Sequence, residues 1–103
     1  MEESDRCVMD LIHPKKISVE KNNIVRKRII KLIKNGQMSF QTFLDYFEEY
    51  YITDPEIALI IIYYTNNAML KNQDMTEKYR IDLITAMLDD LNTKHDIDYN
   101  KYK

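Results

Sequence analysis

The stretch DPEIALIIIYY, residues 54–64, decides the fold. Asp54 is a good N-cap, Pro55 suits a first helical position, where its missing N–H is no loss, and Glu56 lies at the positive end of the helix dipole. From Ile57 to Tyr64 every side chain is apolar or aromatic, so a helix here is apolar around its whole circumference. The run is far shorter than the about 20 residues that a bilayer requires. Such a helix has to be surrounded by others, and the sequence predicts it, running on to Leu70, as the centre of the molecule.

The segments on either side are amphipathic. Within Ser18 to Lys34, Val25, Ile29, Leu32 and Ile33 recur at helical spacing, with Lys21, Lys27, Arg28, Lys31 and Lys34 opposite and a left-handed stop at Asn35 and Gly36. Ser39 is placed to cap a helix whose stripe is Phe40, Phe43, Leu44, Phe47, Tyr50 and Tyr51, with Gln41, Asp45, Glu48 and Glu49 outward. Asp74 and Glu77 have capping-box spacing, ahead of Ile81, Ile84, Leu88 and Leu91 at helical intervals and Leu83 and Met87 beside them. A short first helix is expected over residues 4–12, with Cys7, Val8, Leu11 and Ile12 on one face, ended by His13 and Pro14.

From Asn92 the chain is polar, with only Ile97, Tyr99 and Tyr102 to hold it, so residues 92–103 are expected to fray. One glycine and two prolines in 103 residues are too few turn formers for an all-β fold. The expectation is a single all-α domain over 1–103, a compact bundle of five to six helices around the central apolar one.

Charge is segregated. Residues 15–34 hold eight basic residues against one acid, a local +7, so the remainder carries −9 to reach the net −2. The bland reading sets this helix beside acidic faces of its neighbours. The sharper one makes Lys27, Arg28, Lys31 and Lys34 a face for phosphate backbone or anionic lipid. An acidic protein overall argues for the first, and nucleic acid is not the expected partner. Arg26 stands apart, because the wheel sets it among Val19, Ile29, Ile30 and Ile33. A charge there either pairs within the bundle or meets an acid on a partner helix.

Catalytic chemistry has little to stand on. His13 and His95 lack a second ligand at metal spacing, and nothing in the sequence brings Cys7 to His95. The adjacent acids Glu48, Glu49 and Asp89, Asp90 diverge on a helix and read as solvated faces. No cofactor, no metal and no enzymatic activity are expected. The acidic start, MEESDRC, has no apolar run of signal-peptide length, and a single cysteine allows no internal disulfide, so a reducing intracellular setting is expected.

With the helices placed, LIKNGQMSF (32–40), ITDPE (52–56) followed by the apolar helix, LITAMLDDLN (83–92) and DIDYN (96–100) resemble the poxviral Bcl-2-like family over roughly residues 25–99. The abundance of Ile, Lys, Asn and Tyr, all with AT-rich codons, agrees. The resemblance implies a central hydrophobic helix wrapped by amphipathic ones. The Asn-Trp-Gly-Arg signature of the cellular proteins is absent, since residues 53–56 are Thr-Asp-Pro-Glu. Relatives without it inhibit innate immune signalling by binding host adaptors or kinases.

What the resemblance implies is a non-catalytic viral protein in the host cytoplasm that sequesters a signalling protein of the NF-κB or apoptotic systems. Its expected anchors are Arg26, Ile30, Phe43, Phe47 and Tyr50. Apolar area left uncovered would also favour a homodimer.

Overall fold

The structure, a computed structural model, describes residues 12–68 and 75–103. It is helical throughout, with no strand among the described residues. A 3₁₀ turn at Pro14–Lys16 leads into α1 (Val19–Lys34), α2 (Phe40–Tyr51), α3 (Pro55–Ala68) and α4 (Glu77–His95), and a second 3₁₀ turn spans Tyr99–Tyr102. Four α-helices stand among the described residues against the expected five to six, and the chain at Pro14–Lys16 and Tyr99–Tyr102 forms single 3₁₀ turns. The helix expected over residues 4–12 lies outside the described residues except for Ile12, which is buried.

Helix ends follow the local chemistry. The hydroxyls of Ser18 and Ser39 accept from the N–H groups of Lys21 and Thr42, each at 3.1 Å, and Asp54 accepts from Ile57. At the end of α1, Gly36 takes φ +67°; its N–H donates to Ile33 and that of Gln37 donates to Leu32, the paired bonds of a Schellman stop. The cap of α4 is Thr76, whose hydroxyl accepts from the Tyr79 N–H, while Asp74 lies outside the described residues.

The core is built on α3. Ala58 to Ile62 are all 0 % exposed, and α1 and α2 pack along the helix with α4 on its remaining side. Buried Ile and Leu side chains are each worth about 1.5–3 kcal/mol by removal from water, which makes this helix the main source of stability. Val25 and Ile29 enter from α1, Phe43, Tyr46 and Phe47 from α2, and Ile84, Leu88 and Leu91 from α4.

The inward line of α1 is Asn22, Val25 and Ile29, so Ile33, expected inside, is left 47 % exposed. The same rotation carries Lys21 and Arg28 off the outer face. The Lys21 ammonium pairs with Asp54 at 3.1 Å and Glu56 at 2.8 Å, and Glu56 then Asp54 raise its pKa. Arg28 lies 4.0 Å from the centre of the Tyr46 ring and 3.0 Å from Glu49, tying α1 to one flank of α2.

Beyond His95 the chain turns through Asp96, at φ 57°, and Ile97, Tyr99 and Tyr102 pack back against the core. The His13 N–H donates to the Tyr102 carbonyl at 2.6 Å. The polar stretch from Asn92 thus continues α4 to His95 and ends in a 3₁₀ turn, and the three apolar side chains that pack on the core are the three anchors the sequence offers there.

Burial of Tyr46 pushes its phenol up to about 12, against the opposing field of Arg28. A phenol that keeps its proton longer in the folded than in the unfolded chain stabilises fully below about pH 10 and progressively less above it. Urea titrations are therefore expected to show about 2 kcal/mol of stability lost between about pH 10 and 12 through this residue. Tyr46→Phe removes that part of the slope.

Candidate functional site

Because α2 and α4 both rest on α3 and touch each other only marginally, a groove opens between them. Leu44, Phe47 and Tyr51 form one wall, Leu83 and Met87 the other, and the space is about 320 Å³. Tyr79, one turn before Leu83 and 56 % exposed, continues the α4 wall. Glu48 and Asp90 stand at the rim, and among the described residues no basic side chain lines the groove.

One end is closed by chemistry. The Tyr51 hydroxyl donates to the Asp90 carboxylate, Lys94 lies 3.2 Å from the same carboxylate, and the His95 ring meets the Tyr51 ring edge-on at 4.5 Å. The hydroxyl, and secondarily Lys94, hold the Asp90 carboxyl below its ordinary range, and the bonded carboxylate raises the Tyr51 phenol. Asp90 is therefore a fixed negative charge at the groove mouth at neutral pH. An acidic rim over an apolar floor suits an amphipathic helix with cations beside its apolar stripe.

The five anchors expected from sequence do not come together. Phe43 is 0 % exposed and out of reach, while Tyr50 is half-buried, its ring 5.7 Å from that of Tyr46. Phe47 alone lines the groove. Arg26 is exposed on α1, close enough to Tyr64 for its charge to act on that phenol, and Ile30 is half-buried on the same helix. Of the basic face, Lys27, Lys31 and Lys34 are exposed, whereas Arg28 is engaged with Tyr46 and Glu49.

The groove residues Leu44, Tyr51, Leu83, Met87 and Asp90 were not picked out as a site. Their one signal was that Leu83 and Met87 extend the α4 apolar surface past the width its core face uses.

A second, more polar recess of about 200 Å³ lies among His13, Pro14, Lys15, Asn22, Tyr63 and Tyr64, where the Tyr64 hydroxyl donates to Asn22. Among the described residues no three His, Cys, Asp or Glu gather as a metal site, and no helix is long and apolar enough to cross a membrane. No protein-family model matches the chain, and neither curated proteins nor solved structures yield a match.

Proposed function

We propose that this is a non-catalytic binding protein whose α2–α4 groove takes up the apolar side chains of a helix from another protein. The observation that carries the reading is the uncovered apolar floor of Leu44, Phe47, Leu83 and Met87 beneath the charges of Glu48 and Asp90. Such floors supply affinity through a few buried anchors, while rim charges set orientation and association rate. The resemblance supplies the partner class: a host protein of innate immune (NF-κB) or apoptotic signalling, met in the cytoplasm of an infected cell. The apolar helix enclosed by amphipathic ones supports that assignment at the level of architecture.

The test is affinity capture from host-cell lysate at low and high salt, with wild-type protein and with Leu83→Lys. Capture of a signalling protein that resists salt and falls roughly tenfold or more in the variant is the expected result. Circular dichroism checks that the variant is folded. A host protein bound equally by both refutes the groove.

The exposed Lys27, Lys31 and Lys34 favour a second reading, nucleic-acid binding through α1, which predicts capture that collapses with salt and with reversal of those lysines.

A further inference from the structure

We infer that the occupant of the α2–α4 groove in the absence of another partner is a second copy of this chain, docking through the outer face of its α1. The inference rests on the groove described above and adds what fills it. Two surfaces of opposite sign face outward among the described residues. Arg26, Lys27, Lys31 and Lys34 form no ion pair among the described residues. At the groove rim stand Glu48, in no ion pair among the described residues, and Asp90, whose carboxylate is shared with Lys94, and α2 carries no base.

The α1 face also has the apolar component that the groove floor requires. Val19, Arg26, Ile30 and Ile33 follow one line along the helix, with Lys27 and Lys34 beside it. Val19 and Ile33 are 58 % and 47 % exposed. A phosphate backbone accounts for the lysines but leaves the isoleucines among them in water, whereas a helix seated in the groove buries both kinds of side chain.

The match cannot be made within one molecule. Arg28 pins α1 against the Tyr46 and Glu49 flank of α2, and the groove opens on the opposite flank, at Leu44 and Tyr51. The contact is therefore between molecules. It joins two different surfaces rather than one patch to itself, so it is head-to-tail and either closes a ring or adds copies in a row. A host helix bound in the groove has to displace the second copy, so self-association and capture compete.

Sedimentation velocity of the full chain over a concentration series, at low and high salt, tests this. The expected result is mass that rises with concentration, more steeply at low salt. Lys27→Glu with Lys31→Glu weakens the association roughly tenfold, and Glu48→Lys at the groove rim weakens it in the same direction. Each variant alone sets like charges against each other, so mixing the two restores assembly. A monomer mass independent of concentration at low salt, or association that neither reversal weakens, overturns the inference. Host-protein capture by a strict monomer, still lost in Leu83→Lys, leaves the proposed function standing while removing this inference.

Discussion

Alanine at Phe43 is expected to destabilise the protein by about 3–5 kcal/mol, the range for deleting a buried aromatic ring from a packed core. The residue is 0 % exposed, its ring lies edge-on to Phe40 at 6.0 Å and tilted to Phe47 at 6.4 Å, and α2 rests its inner face on α3. The loss combines transfer and void terms. Domains of this size hold only about 5–15 kcal/mol in all, so the variant keeps a small margin at best. Urea unfolding measures it, with Leu44→Ala as the control: Leu44 is half-buried at the groove, and its loss is expected to stay near 1 kcal/mol. A Phe43→Ala cost below that of Leu44→Ala would contradict the packing. The consequence for function is direct, because any binding lost in a Phe43 variant reports unfolding rather than a missing contact.

How much was legible in the sequence follows from what each signal encodes. A helix apolar on all sides has only one place to go, and α3 is at the centre. Caps are local, so Ser39, Asp54 and the Gly36 stop read correctly from neighbours within three residues. Periodicity, in contrast, orders residues around a wheel without saying how far the wheel is turned.

One error has that origin: Ile33 read as core and is half in water, while Arg26, left open between a pair within the bundle and an acid on a partner, is exposed. Among the described residues the buried charge is Arg80, at 6 % exposure, beside Ile84 on the inward face of α4. The groove was illegible for a further reason. It is set by the separation of α2 and α4, which depends on how both sit on α3 and has no counterpart in either helix alone.

Asn66→Ala is expected to cost about 2–4 kcal/mol, and Arg80→Met in the same protein about 1 kcal/mol or less. The asymmetry comes from which partner can leave. Arg80 donates to the Asn66 side-chain oxygen at 2.5 Å inside the fold, and its other arm reaches Glu77 at 3.2 Å, whose side chain is 63 % exposed. Removing the Asn66 acceptor leaves a desolvated guanidinium holding only a screened, solvent-facing carboxylate, and a buried charge without its bond is far more costly than the bond itself is worth. Replacing Arg80 by methionine removes the charge and fills nearly the same channel between α3 and α4 with an adaptable apolar chain. The double variant decides the matter. If the penalty of Asn66→Ala belongs to the stranded cation, it shrinks by half or more in the Arg80→Met background, as urea midpoints in a double-mutant cycle will register. A penalty that stays whole there places the loss in Asn66 itself and makes Arg80 a bystander.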